Sequence, residues 1–296
     1  MNEYFRYTLK DLEENSAQKK FNYITFFAGG GGSSCAYKLE GGDCRYMNEF
    51  QQLHVDTYLQ NFPNTIHECK DIKEVTGKSI MELSGLEVGE IDILDASPPC
   101  PPFSMAGSKR EGWNKEKIAY GMKQTNIEDL TWEVIRITGE LKPKVVICEN
   151  VKGLTMDYAK DHLIRMIQDF EAEGYSAVYK VMKGQEHGVP QKRERTFILA
   201  VRNDVLDKIG MPWMVLGSVF PEPSEKEWTV RDAIEDLQDD EENIVDATYL
   251  EEAMRTSSKS HWVFGFETHP DFPNSGPCLG MRGINDRDRV ISIGDD

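Results

Sequence analysis

No apolar run in this 296-residue sequence approaches the roughly 18 residues that crossing a bilayer takes, so no membrane partner is expected. Residues Met1 to Lys20 are charged and lack the apolar stretch of a secretory signal, which places the chain in the cytosol or nucleoid space. The six cysteines are scattered without a single CxxC pair, so neither a metal site nor a disulfide framework is expected. A free thiol acting as a nucleophile stays open. Positive charge is also short: 34 Lys and Arg stand against 51 Asp and Glu, a net charge of −17. Taken alone, that deficit argues against nucleic acid, whose phosphates need a basic face. The acidity is concentrated, however. Between Pro221 and Arg255 there are 13 acidic and 3 basic residues, which carry −10 of the total. Internal repeats and the GxGxxG dinucleotide spacing are absent as well.

What is present suits a globular protein, with 39% hydrophobic residues and length for one large domain or one domain plus an appendage. Four short apolar runs read as buried strands: Tyr23–Phe27, Ile91–Asp95, Lys144–Cys148 and Phe197–Val201. Helical patterns lie between them, notably Asn126–Leu141 and Asp161–Glu173. The latter has Leu163, Ile164, Ile167 and Phe170 three and four apart and stops before Gly174. Such alternation predicts βαβ units, a mostly parallel sheet and ligands at the strands' carboxyl ends. After about Asn203 the pattern changes to a Pro-containing stretch, one helix at Val230–Leu237 and an acidic run. Residues 256–296 are rich in Gly, Pro, Asn and Ser and do not read as a self-sufficient domain.

Chemistry-bearing residues fall just after the strands. The run Phe27-Ala28-Gly29-Gly30-Gly31-Gly32-Ser33-Ser34 follows a strand and opens a helix. Glycines there let a ligand approach the backbone, and the helix start offers N–H groups to a carboxylate or phosphate. A plain tight turn is the alternative. Glu49, in Tyr46-Met47-Asn48-Glu49-Phe50, sits where doubly wound folds hold a ribose diol, or else caps the following helix. Asp71 follows a third short segment and is positioned to receive an adenine amino group.

In Ser97-Pro98-Pro99-Cys100-Pro101-Pro102-Phe103-Ser104, prolines stiffen a loop at the sheet edge and fix the direction of the thiol. Cys100 is then either a nucleophile or a buried structural cysteine. Glu149, in Cys148-Glu149-Asn150-Val151, becomes a proton donor if burial raises its pKa. Cys148 reads as an inward-facing strand residue. Before the last strand, Gln191-Lys192-Arg193-Glu194-Arg195 sets two arginines at alternate positions, hence on one face of an extended segment. They anchor a phosphate or carbonyl oxygen, or form surface salt bridges.

Together these segments resemble the DNA cytosine-5 methyltransferase family. Its FxGxGG, PC, ENV and QxRxR motifs match Phe27–Gly32, Pro99-Cys100, Glu149–Val151 and Gln191–Arg195, in family order over residues 22–205. Thr229-Val230-Arg231-Asp232-Ala233-Ile234 resembles the segment that enters the recognition domain. The resemblance implies a doubly wound, Rossmann-like S-adenosylmethionine-dependent methyltransferase domain over 21–205. An N-terminal extension (1–20) would precede it, and an acidic connecting segment (206–255) and a small, incomplete target-recognition region (256–296) would follow.

The resemblance also implies roles. Phe27, Ala28, Gly29, Gly31 and Gly32 would bind S-adenosyl-L-methionine, with Glu49 on its ribose, Phe50 on the adenine face, Asp71 on the adenine edge, and Ile72 and Pro99 alongside. Cys100 would attack carbon 6 of a cytosine flipped from double-stranded DNA. Glu149 would hold ring nitrogen 3 and the exocyclic amine, and Arg195 the base carbonyl. Arg193 and Gln191 would brace the cysteine loop, with Ser104 and Asn150 on the substrate side.

Departures accompany the match. Pro101 stands where the family usually has Gln. Two later family segments, one rich in Arg and Leu and one with a Gly-Asn pair on a returning helix, have no convincing copy here. That predicts a truncation or the catalytic half of a split enzyme, completed by a partner polypeptide that brings the basic DNA-reading surface. Further readings are a tRNA-directed enzyme, against which the absent Cys-Phe-Thr tripeptide counts, and a non-catalytic paralogue, against which the intact Cys100, Glu149 and Arg195 count. A prokaryotic or phage origin and a restriction-modification role complete the expectation.

Overall fold

The computed structural model describes residues 5–99, 117–119, 122–124, 129–157 and 159–234. Cys100, Ser104 and the expected recognition region at 256–296 lie outside them. Two compact units divide the described residues: those within Tyr7–Val181 together with Thr196–Phe220, and residues 5–6 together with Met182–Arg195 and residues 221–234.

The larger unit opens with helix α1 (Leu9–Ser16), started by a capping box in which Thr8 and Asp11 satisfy each other's backbone N–H groups. Then come β1 (Phe21–Phe26), α2 (Gly32–Leu39), β2 (Gly42–Glu49), α3 (Gln52–Asn61), β3 (His67–Cys69), α4 (Gly77–Ser84) and β4 (Ile93–Ala96). A two-stranded antiparallel pair, β5 (Lys117–Ala119) and β6 (Met122–Gln124), precedes α5 (Asp129–Leu141). The run continues with β7 (Val145–Val151), α6 (Lys160–Ala172), β8 (Tyr175–Lys183), β9 (Glu194–Arg202) and α7 (Asn203–Ile209).

Seven strands form one sheet in the order β3-β2-β1-β4-β7-β9-β8. The pairs from β3 to β7 are parallel, as the alternation predicts. The last two strands run the other way. Asn203 N–H donates to Gly174 O at 3.0 Å and Gly184 N–H to Arg193 O at 2.7 Å, so partner numbers fall on one strand as they rise on the other. Beside β7, Arg202 N–H donates to Lys144 O, again the antiparallel sense. Strand β8 carries no strong apolar run and was not among the expected strands.

Consecutive strand residues serve opposite faces. Tyr46 joins a core with Ile24, Phe26, Leu94, Val146 and residues of α4, α5 and α6. Met47, next in β2, joins Leu12, Ala28, Val55, Tyr58 and Phe62. Helices therefore cover both faces, which is the doubly wound arrangement. Leu12 of α1 is buried in that second core, worth about 1.5–3 kcal/mol, so α1 is part of the larger unit's packing.

Element bounds differ from expectation where backbone geometry intervenes. Strand β1 ends at Phe26 rather than Phe27, because Phe27 turns into the left-handed region with φ +56°. Helix α6 stops where Gly174 adopts φ +91°. The helix expected at Val230–Leu237 appears as α8 (Val230–Ile234), the described part. It is capped by Thr229, whose N–H and hydroxyl donate to Asp232 and whose hydroxyl accepts from the Asp232 N–H. Those backbone and hydroxyl donors hold the Asp232 carboxyl below its usual range. No helix among the described residues is long and apolar enough to cross a membrane.

Candidate functional site

The parallel strands deliver Phe27 to Gly31, Glu49 and Phe50, Ser97 to Pro99, and Glu149 to Val151 to their common carboxyl edge. The order reverses between β1 and β4, where such sheets bind ligands. Phe27 is held left-handed, a strained conformation for an aromatic residue that clusters at ligand sites. Gly31, at φ +96°, caps α2 and is packed beneath by Phe62 and Tyr58. Gly29 and Gly32 face open space, with nothing within 4 Å of where a Cβ would stand. A ligand can therefore lie against their backbone.

Glu49 closes this loop from the next strand. One carboxylate oxygen accepts from Gly29 N–H at 2.9 Å. The other accepts from Phe50 N–H at 2.9 Å and Gln51 N–H at 3.0 Å, with His54 Nδ1 at 3.5 Å. The capping reading of Glu49 is what these bonds show. The carboxylate caps the chain entering α3, and the second lone pair of the oxygen on Gly29 suits a ribose hydroxyl. Phe50 presents an exposed ring beside it, 42% accessible.

Asn48, quoted in the sequence but given no role, proves to be a buried brace. Its Nδ2 donates to Glu68 O at 3.1 Å and Lys70 O at 2.9 Å, fixing the approach to Asp71. Asp71 accepts from Lys73 N–H and starts a 3₁₀ turn whose first residue, Ile72, is buried.

On the other side of the reversal, Asn150 is buried at the end of β7. Its Nδ2 donates to Pro98 O at 3.4 Å, and its oxygen accepts from Val151 N–H at 2.9 Å. The strand that carries Glu149 is thereby tied to the loop that leads into Cys100. Cys148 is buried in the core, and burial together with the nearby Asp95 pushes its thiol far above the usual range. It is an inert strand residue.

Asp95 is the residue that sequence reasoning passed over as the polar end of a strand. Buried on β4, it accepts from Thr25 Oγ1 and Ser33 Oγ, both at 2.9 Å, and from Tyr37 Oη at 3.1 Å. Burial pushes its carboxyl up, those three hydroxyls hold it down, and the charge of Glu149 pushes it up again.

The smaller unit holds Gln191, Arg193 and Arg195. Gly184 N–H donates to Arg193 O, and Gln191 N–H to Val189 O, both at 2.7 Å. The two arginines differ in exposure. Strand β9 begins at Glu194, and Arg193 just before it is exposed while Arg195 is buried. One Arg195 nitrogen donates to the Glu194 carbonyl at 2.9 Å.

Comparison with known proteins agrees with this geometry. Residues 21–282 match the family described as C-5 cytosine-specific DNA methylase. Among curated relatives, the type II methyltransferase M.XorII of Xanthomonas oryzae is 31% identical over 220 residues, covering 74% of this chain and 46% of that protein. M.HhaI of Haemophilus parahaemolyticus is 31% identical over 219 residues, covering 72% and 56% respectively. The chain thus spans about half the length of the curated relatives it matches. A prophage-encoded E. coli protein assigned as a DNA modification methyltransferase has the same fold, with TM-score 0.58 and 22% identity over 73% of this chain and 54% of its own.

Proposed function

Since the chain belongs to the C-5 cytosine-specific DNA methylase family, whose methyl donor is S-adenosylmethionine, we propose that it methylates carbon 5 of a cytosine in double-stranded DNA. The observation that carries the reading is the loop Phe27–Gly32, closed by the Glu49 carboxylate on Gly29 beside the exposed Phe50 ring. That edge fits the donor. Open backbone at Gly29 and Gly32, a carboxylate with a lone pair to spare and an aromatic face match its amino acid, ribose and adenine in turn. When bound, the cofactor supplies an electrophilic methyl on a cationic sulfur.

The chain's own residues do the rest. Cys100, as thiolate, forms a bond from sulfur to carbon 6 of a base extruded from the helix, since that atom is unreachable within the stack. The ring's electron pair moves to carbon 5, which takes the methyl; loss of the carbon-5 proton to a base then re-forms the double bond and expels the thiolate. Glu149 donates to ring nitrogen 3 and accepts from the exocyclic amine, stabilising the charge that attack creates. Asn150 keeps the loop of Cys100 in line with Glu149. The motif assigns Arg195 to the base carbonyl and Arg193 and Gln191 to bracing. This work would take place inside a prokaryotic cell, in modification of host or phage DNA.

The test is transfer of labelled methyl to unmethylated genomic DNA, followed by bisulfite sequencing, with Cys100→Ser as control. Protected cytosines in one short motif, lost in the variant, are the expected result. Duplex containing 5-fluorocytosine should trap a covalent adduct on Cys100. Cofactor binding without transfer or adduct would overturn activity of this chain alone and identify it as a catalytic part that needs a complementing polypeptide.

A further inference from the structure

Asp95 occupies the strand row just beneath the functional edge. In register it lies opposite Thr25 of β1 and Ile147 of β7, and so on the face that Glu149 shares two residues further along. A strand there needs only an apolar side chain. Instead the chain buries a carboxyl, to 4% exposure, among neutral hydroxyl donors, an arrangement that costs several kcal/mol in desolvation before its hydrogen bonds return part of it. Such a breach of local preference marks functional constraint.

Two of the three donors belong to α2. Ser33 and Tyr37 are four apart, one turn up the same face, and Ser33 directly follows the glycine run. The helix is eight residues long, and its N-cap, Gly31, has no side chain with which to cap it. Ordinary capping, worth about 1 kcal/mol, is therefore missing from the turn that presents its N–H groups to the ligand. The bonds to Asp95 do not satisfy those N–H groups, but they anchor the helix from below through its side chains.

We propose that Asp95 is a positioning residue for the methyl donor, holding the first turn of α2 and the glycine loop in their receiving shape through Ser33 and Tyr37. It touches no ligand itself. The inference rests on the cofactor reading above and names how that site is kept open and ordered before the cofactor arrives.

Titration of S-adenosylmethionine into the full chain tests it, using Asp95→Asn, Ser33→Ala, Tyr37→Phe and Thr25→Val. Asp95→Asn and Ser33→Ala should each weaken binding about tenfold, the equivalent of one hydrogen bond. The double variant should bind no worse than the weaker single, because both remove the same link. Thr25→Val, which removes a donor outside α2, should stay within about twofold of wild type. Amide exchange at Cys35, whose N–H donates to Gly31 O and closes the first turn, should quicken in the ligand-free Asp95→Asn and Ser33→Ala proteins but not in Thr25→Val. Should Asp95→Asn fail to fold, Ser33→Ala and Tyr37→Phe, nearer the surface, still decide the matter. Unchanged affinity in these variants, strictly additive losses, or an equal loss in Thr25→Val would overturn the tether. If wild type binds no S-adenosylmethionine, the cofactor reading falls and the tether with it. If wild type binds and the variants match it, the tether alone falls.

Discussion

The Asn150 side chain links two strand ends by donating to Pro98 O at 3.4 Å while accepting from Val151 N–H at 2.9 Å. One buried amide thus ties Pro98, two residues before Cys100, to the strand end that carries Glu149. Asn150→Ala removes both bonds and leaves a buried carbonyl without its donor. A displacement near 1 Å at a reacting centre costs on the order of 100-fold in rate, so kcat should fall about 10- to 100-fold. The KM for S-adenosylmethionine should hold, because the glycine loop and Glu49 are untouched. Steady-state kinetics in both substrates check this, and an unchanged kcat would remove Asn150 from the positioning machinery.

Glu49 predicts the opposite split. Its carboxylate serves three backbone N–H groups, from Gly29, Phe50 and Gln51. Glu49→Gln keeps the size but turns an NH₂ group toward one of those donors, leaving that N–H without an acceptor. The penalty for such a group is about 1–3 kcal/mol, which is about 5- to 150-fold if it falls on cofactor affinity. Equilibrium titration of the cofactor reads it directly, and kcat at saturation should change little.

The edge of the sheet was legible in sequence because buried parallel strands read as apolar runs, as in β1, β4 and β7. Glycine, proline and acidic residues just after such runs therefore stood out. Strand β8 was not legible, since Tyr175–Lys183 is mostly half-exposed at a sheet edge and mixes Tyr179 and Lys180 with its valines. Asn48, Asn150 and Asp95 were quoted within motifs, yet only Asn150 drew a role, from family resemblance. What each does depends on partners 20 to 70 residues away in sequence, such as Lys70 O, Pro98 O and Thr25 Oγ1. Periodicity cannot reveal such pairings.

Stability should respond to acid through His162. Its ring stacks on Trp132 with centroids 4.6 Å apart, and the Arg165 guanidinium lies 5.1 Å from the same indole. Burial and the Arg165 charge hold the His162 pKa below its ordinary 6.5. The folded protein then binds fewer protons than the unfolded chain between that lowered value and 6.5. Stability is complete above the upper limit and drains away as pH falls through the window. Urea midpoints measured from pH 7.5 to pH 5 should decline in wild type. In His162→Phe, which keeps a ring against Trp132, that part of the decline should vanish. Identical slopes would rule His162 out as the source.

Two glycines one residue apart should separate folding from binding. Gly31 has φ +96°, and a Cβ there would stand 2.9 Å from Phe62 Cε2 and 3.1 Å from Tyr58 Cδ2. Those rings pack edge to face in the core, 5.1 Å between centroids, and cannot both yield. Gly31→Ala therefore combines a disfavoured backbone with overpacking, about 2–4 kcal/mol together. Gly32 is the first residue of α2, and a methyl there meets nothing within 4 Å. Exchange to alanine should leave stability level or raise it by up to about 1 kcal/mol, the helix preference of Ala over Gly. The same methyl would occupy the open space in which we propose that the cofactor lies, so binding should weaken although the fold is intact. Thermal melts beside cofactor titrations distinguish the two cases. A Gly32→Ala protein that binds as wild type would place the ligand elsewhere on the edge, and a Gly31→Ala protein of full stability would mean that the Tyr58 and Phe62 rings yield after all.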